Sequence, residues 1–153
     1  MLVYVSPEET SATRSYLKIK AKSAEDAGCD FEETRSLAFP ARADAIIVQL
    51  PLPSDIATED VLNSIPLQQD ADVLSTAARA KFENGDTGAL LPPVVGAVRE
   101  IVMHGRVDVK GKRAVVIGDG WLVGNPCAVW LKQQGAIVSV MTLESGDLSA
   151  AHP

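Results

Sequence analysis

The residues whose spacing says most about chemistry are glycines. Gly118-Asp119-Gly120-Trp121-Leu122-Val123-Gly124 has the spacing G-x-G-x-x-x-G, set between an apolar strand pattern over Lys112–Ile117 and a helical one over Asn125–Gln134. Glycines in that setting permit a tight turn. They also let a pyrophosphate come close to backbone N–H groups at a helix N-terminus, where the helix dipole favours anions. A tight strand-to-helix turn with no ligand has the same spacing, so the pattern is a hypothesis until its context is seen. A dinucleotide site also needs a group that reads the ribose after the next strand, and Thr142 and Glu144 are the side chains available. A carboxylate there accepts hydrogen bonds from the adenosine ribose of NAD and repels the extra phosphate of NADP. No Arg or Lys follows Glu144, which suits a solvated loop equally well. The candidate cofactor contacts are therefore Gly118, Asp119, Gly120, Val123, Gly124, Thr142 and Glu144, with NAD or NADP as the cofactor.

A second set of residues suits proton transfer. Tyr16, Lys20 and Ala24 are four apart, so on a helix they share one face, and Tyr16 and Lys20 can point into one cleft. Partial burial beside an aromatic ring lowers a lysine pKa toward neutrality, which lets the amine move protons. Lys18 and Lys22 are on the same helix, and spacing alone fits a solvated lysine at position 20 better. Gln49 is more informative. It ends an otherwise apolar strand, where a polar side chain must be hydrogen-bonded and where α/β proteins place ligands. Asp70 and Asp72 suit ligand hydrogen bonds, a metal, or plain solvation. His104 and His152 have no catalytic partner in sequence, and neither a G-x-S-x-G elbow nor a P-loop is present.

The elements that must position these groups follow from pattern and punctuation. Leu2–Val5 reads as a strand broken by Ser6-Pro7, and a helix capped by Thr10 or Ser11 runs to about Ala27, closed by Gly28. Asp30–Leu37 is a weakly patterned strand. Ala45–Leu50 is a strong one whose β-branched run suits a parallel strand buried on both faces, ending at Pro51-Leu52-Pro53. Ala38–Asp44 is short for the helical crossover between parallel neighbours, and that connection stays unassigned. A short helix covers Thr58–Ile65, and Lys81–Leu91 reads as loop around Asn84-Gly85-Asp86. Pro92-Pro93 opens a helix through Val102, with Val94, Val95, Val98, Ile101 and Val102 as its apolar face. Lys112–Ile117, Asn125–Gln134 and Ile137–Met141 then form a βαβ unit. The expected fold class is α/β with two lobes, residues 1–91 and 92–153.

Composition narrows the function classes. The 153 residues are 46% hydrophobic and 22% charged, with a formal net charge of −6, so neither a nucleic-acid backbone nor an anionic membrane is an expected partner. The apolar runs are too short for a membrane span, and no basic region precedes an apolar stretch at the N-terminus. The two cysteines, Cys29 and Cys127, have no ligand-spaced neighbours, so neither zinc nor a disulfide framework is indicated and a cytoplasmic protein is expected. A strand at the first residue and a C-terminus that completes no element suggest a fragment.

Ser15-Tyr16-Leu17-Lys18-Ile19-Lys20, Ile47-Val48-Gln49-Leu50-Pro51-Leu52-Pro53, Asp70-Ala71-Asp72, and Val116-Ile117-Gly118 with Leu122-Val123-Gly124-Asn125-Pro126 together resemble one family. It is the bifunctional methylenetetrahydrofolate dehydrogenase/methenyltetrahydrofolate cyclohydrolase family. Order and approximate spacing match over most of the chain, and V-Q-L-P-L-P is the most specific segment. The resemblance implies a folate-binding α/β lobe and a Rossmann lobe, here truncated, enclosing a cleft. There, 5,10-methylenetetrahydrofolate passes a hydride to NADP or NAD, and the methenyl product is hydrolysed to 10-formyltetrahydrofolate. It implies that Lys20 transfers protons in the cyclohydrolase step, Tyr16 packs on the folate, Gln49 holds and tunes Lys20, and Asp72 accepts hydrogen bonds from the pterin. Val48 and Leu50 join Gln49 as substrate contacts, and the parent is expected to be a homodimer.

The chain also departs from the family. It lacks a helix before the first strand, a crossover helix before Ala45 and further Rossmann strands. Asp119-Gly120 stands where relatives carry a basic or small residue and then serine, and Pro92-Pro93-Val94-Val95-Gly96 replaces a P-C-T-P-x-G segment. Two other readings remain, a noncatalytic remnant with a folate or nucleotide pocket and an unrelated Rossmann oxidoreductase.

Overall fold

The apolar N-terminal pentapeptide becomes the middle of a sheet. In the computed structural model, which describes residues 1–6, 8–142 and 144, β1 (Leu2–Tyr4) pairs in parallel with β2 (Glu32–Thr34) on one side and β3 (Ile46–Val48) on the other. The expectations placed on Pro7 and His152 lie outside the described residues. Between β1 and β2 runs α1 (Ser11–Asp26), capped as its sequence predicts: the Thr10 hydroxyl accepts the Thr13 N–H at 3.1 Å. Gly28 follows at a φ of 70°, the left-handed conformation that closes a helix without a Cβ penalty.

Strand alternation sorts the side chains into two layers. Val3, Val5 and Ile47 pack with Leu17 of α1. Leu2, Tyr4, Ile46 and Val48 face the other way, onto Leu62, Ile65 and Leu74. Both faces of β1 and β3 are thus covered, as an unbroken apolar run in a parallel strand requires.

The sheet order β2-β1-β3 accounts for the unassigned connection. β2 and β3 are not neighbours; the chain passes from one side of β1 to the other between Thr34 and Ile46 with no helix. The strands are three residues long, so the return path is short, and about 11 residues reach up to ~36 Å when extended. Leu37, Phe39 and Ala43 of this passage pack on the Leu2/Tyr4 face, opposite α1, and supply the cover a crossover helix would give. β2 and β3 are also shorter than the Asp30–Leu37 and Ala45–Leu50 expected, because pairing to a three-residue central strand limits them.

α2 (Thr58–Asn63) lies where expected, but α3 (Thr76–Glu83) does not appear in the sequence reading and corrects it: Lys81–Glu83 are helical, not loop. Three alanines with Arg79 and Lys81 favour the helix intrinsically. Its first turn is satisfied from outside, with Asn63 Oδ1 accepting the Thr76 N–H at 2.8 Å, and by Ser75 Oγ, which accepts the Ala78 N–H at 3.3 Å.

The rest is a second, simpler layer. α4 (Pro93–His104) opens on proline as expected. Val95 is fully buried, whereas Ile101 is 71% exposed, so Ile101 does not belong to a packed face. β4 (Arg113–Ile117), α5 (Gly124–Gln133) and β5 (Ile137–Met141) form the βαβ unit, with β4 and β5 parallel and in register from Arg113↔Ile137 to Ile117↔Met141. The fold class is α/β, and the chain divides into two compact units, Met1–Arg79 and Ala80–Pro153. Among the described residues no helix is long and apolar enough to cross a membrane.

Candidate active site

Each unit carries one of the two residue sets. In the first unit, α1 presents Tyr16, 64% exposed, and Lys20, half-buried, on successive turns. Lys20 makes no hydrogen bond or ion pair among the described residues. Gln49 follows directly on β3. Its Nε2 donates to the Leu50 carbonyl at 2.9 Å, while its Oε1 is buried with no hydrogen-bond partner. A buried amide oxygen without a donor is costly, so the position is built to accept one. Val48 is buried in the sheet and Leu50 is half-buried against the Leu2/Tyr4 layer, so of the two only Leu50 keeps surface for a ligand.

Asp72 reaches this site through a one-residue extension of the sheet. Ile46 pairs with Asp70 in a parallel bridge: the Ile46 N–H donates to Gln69 O at 2.7 Å and the Ala71 N–H to Ile46 O at 3.2 Å. Burial pushes the Asp72 carboxyl above the ordinary carboxylate range; the Lys20 ammonium pulls it down, and the Asp70 carboxylate pushes it up again. Folding therefore places Asp72 within the electrostatic reach of Lys20, although more than fifty positions separate them in sequence.

A further polar group was not legible in sequence. Glu9 accepts from both Arg14 and Arg35, whose guanidinium groups hold its carboxyl below the ordinary range. Arg35 also donates to the carbonyls of Val5, at 3.0 Å, and Ser6. The chain leaving β1 is thereby pinned at the start of α1. Nothing in the spacing of residues 9, 14 and 35 signals this, because the three meet only once β2 lies beside β1.

In the second unit, Gly118 and Gly120 line a cleft of about 420 Å³ with Ile117, Asp119, Met141, Thr142 and Glu144. Gly118 has a φ of 91° and donates its N–H to Met141 O at 2.7 Å, fixing the turn to the end of β5. Gly124 is required by close approach, since a Cβ there would lie 2.0 Å from the Gly118 carbonyl oxygen. Around Gly120 there is open space. Asn125 donates to Gly120 O, Cys127 donates to Val123 O and Pro126 has no N–H, so the helix start is partly satisfied internally. Among the described residues, the N–H groups of Asp119, Gly120, Leu122 and Gly124 have no backbone acceptor, and of these Asp119 and Gly120 line the cleft and can serve an anion. A phosphate-bearing dinucleotide fits this turn. Val123 and Gly124 begin α5 and are not part of the cleft wall. Among the described residues, the charged side chains on that wall are the carboxylates of Asp119 and Glu144.

Residues 92–152 match the family model described as tetrahydrofolate dehydrogenase/cyclohydrolase, NAD(P)-binding domain. Over 151 residues the chain is 33% identical to the bifunctional protein FolD of Parasynechococcus marenigrum, covering 97% of this chain and 51% of that protein. Over nearly its whole length the chain is thus similar to bifunctional FolD proteins. FolD of Campylobacter jejuni subsp. doylei is 32% identical over 153 residues, covering 90% of this chain and 54% of that protein. Solved FolD structures superpose closely. The Campylobacter jejuni FolD crystal structure gives a TM-score of 0.89 at 29% identity, over 97% of this chain and 58% of that one. The Trypanosoma brucei FolD, complexed with NADP and an inhibitor, gives 0.79 at 26% identity over 92% and 53%. The chain spans about half the length of these relatives, and 36% of the FolD of Mycoplasmopsis synoviae.

Proposed function

We propose that this chain carries the chemistry of a bifunctional folate enzyme: oxidation of 5,10-methylenetetrahydrofolate with NAD(P), then hydrolysis of the methenyl product to 10-formyltetrahydrofolate. The observation that supports the reading is the buried Gln49 Oε1 left without a donor at the end of β3, with Asp72 within electrostatic reach of Lys20. Lys20 makes no hydrogen bond or ion pair among the described residues. An amine left unpaired in this way is available to exchange a proton with substrate or water.

Lys20 moves the proton in the hydrolytic step, and the buried Gln49 Oε1 is the acceptor that orients its ammonium group. The exposed ring of Tyr16 stacks on the folate, Asp72 accepts hydrogen bonds from the pterin, and Gln49 and Leu50 form the strand-end wall. The backbone of Asp119 and Gly120 holds the pyrophosphate, and Thr142 and Glu144 take the ribose. When bound, the nicotinamide cofactor supplies the hydride acceptor. The carboxylates of Asp119 and Glu144 on the described cleft wall disfavour a ribose phosphate, so NAD is preferred to NADP. Residues 1–91 act as the folate lobe and 92–153 as the cofactor lobe of a cytoplasmic homodimer.

The test is methylenetetrahydrofolate-dependent reduction of NAD and of NADP by the chain, run beside Lys20→Met. Hydride transfer that is faster with NAD, together with loss of hydrolysis but retention of folate binding in Lys20→Met, is the expected result. Unchanged hydrolysis in that variant rejects the role of Lys20, and tighter binding of NADP rejects the preference. Folate binding without either product selects the noncatalytic reading.

A further inference from the structure

Asp70 is among the most completely buried side chains of the molecule, and the chemistry above does not use it. Its carboxylate accepts the backbone N–H of Leu74 at 3.2 and 3.1 Å through its two oxygens, and that of Ser75 at 2.8 Å. Between Asp70 and these donors the chain makes an unusual turn in which Val73 has a φ of 56°. For a β-branched residue that conformation is a steric outlier, kept only where the surroundings over-determine it. Two things do so here. The Val73 side chain is buried, and the Asp70 carboxylate gathers the N–H groups on the far side of the turn. On the near side, Asp70 is anchored to β3 through its bridge with Ile46. Asp72 lies inside this clasp.

We propose that Asp70 is the positioning residue of the folate site: clasping the Leu74 and Ser75 N–H groups, it holds Val73 left-handed and thereby fixes the place of Asp72 relative to Lys20. Asp70 itself touches no substrate. The inference rests on the role proposed for Lys20 and Asp72, but its test needs no folate. A chain that fails to turn over would reject the function, and the electrostatic coupling described next would remain measurable.

The coupling is read from the NMR titration of the Asp72 carboxyl in four versions of the full chain: unaltered, Lys20→Met, Asp70→Asn, and both together. The charged groups acting on Asp72 are Lys20 from α1 and Asp70 from its own segment. Lys20→Met removes the group that lowers the Asp72 pKa, so its midpoint rises. Asp70→Asn keeps one acceptor oxygen and turns an amide toward the donors, which loosens the clasp. In that background the upward shift caused by Lys20→Met disappears. The same shift in both backgrounds overturns the proposal, because Asp70 would then be only a source of charge and stability.

Two measurements hold if Asp70→Asn does not fold. In the unaltered chain the Leu74 and Ser75 amides exchange slowly with solvent, and exchange as fast as that of an open loop overturns the clasp. Val73→Gly frees the turn of its steric strain and leaves Asp70 in place, so the shift caused by Lys20→Met persists. Its loss there assigns the positioning to the Val73 side chain and overturns the role of Asp70.

Discussion

The two sheets are built from similar words and end in different surroundings. Val3, Ile46 and Val48 of the first sheet are almost wholly buried, whereas Ile117 of β4 is 68% exposed and Ile137 of β5 61% exposed. The strands are apolar and β-branched in both cases. What differs is cover. β1 and β3 are sandwiched between α1 on one side and Leu62, Ile65 and Leu74 on the other, while β4 and β5 form a two-stranded ribbon with α5 as the helix between them. A hydrophobic run therefore says that a strand can be buried on both faces, and the chain around it decides whether it is. The same contrast holds for the two sites. The proposed folate site depends on side chains from three segments, and the proposed cofactor site mainly on the backbone of one turn.

The contrast can be broken most severely at Lys20. Loss of a general acid or base costs about 10²- to 10⁴-fold, so the hydrolysis rate of Lys20→Met falls in that range while folate affinity, measured by direct titration, changes little. Next is the covered sheet: Ile46→Ala destabilises by about 2–5 kcal/mol in urea melts, as large-to-small changes in a closed core do. Gly124→Ala comes third. Its Cβ has no room beside the Gly118 carbonyl, and an overpacked position costs about 1–3 kcal/mol, with dinucleotide binding lost in the same variant. At the open sheet, Ile117→Thr shifts stability by no more than about 0.5 kcal/mol, and a loss like that of Ile46→Ala would show that β4 is covered in solution.

The smallest effect is a pH dependence. The Asp72 carboxyl is raised in the fold by burial, so the folded chain binds a proton that the unfolded chain has already released. Its contribution to stability is greatest at acid pH and declines as pH rises from the unfolded carboxylate value through the raised folded one. Asp72→Asn removes that decline, so the difference between variant and unaltered chain in melting temperature grows toward neutral pH.

Much of this was legible because local signals and the fold agree. Thr10, Gly28, Pro93 and Gly124 do what their residue types favour, and the apolar runs at β1, β3, β4 and β5 are strands. α3 was missed because alanines carry no apolar periodicity and because Asn63, thirteen positions earlier, supplies its first hydrogen bond. The passage from β2 to β3 could not be assigned without knowing that β1 lies between them. Of the four residues proposed for the folate site, Gln49 stands out by its place at the end of an apolar strand and the others chiefly by resemblance; spacing placed Tyr16 and Lys20 on one face but could not bring Asp72 to them. Val73 carries no sequence signal at all, because a valine does not announce a left-handed backbone.

The Ile46 bridge also bears on how the chain behaves in company. β3 is an edge strand, and edge strands template the addition of other chains. Alternate residues of a strand face each side, so the outer edge of β3 offers backbone groups only at Ile46 and Val48. Ile46 is already engaged by Gln69 and Ala71, and Pro51 and Pro53 stand just beyond the strand end. An incoming strand finds a single residue to pair with there. The segment that carries Asp72 thus also leaves the β3 edge of the sheet little to offer an incoming strand.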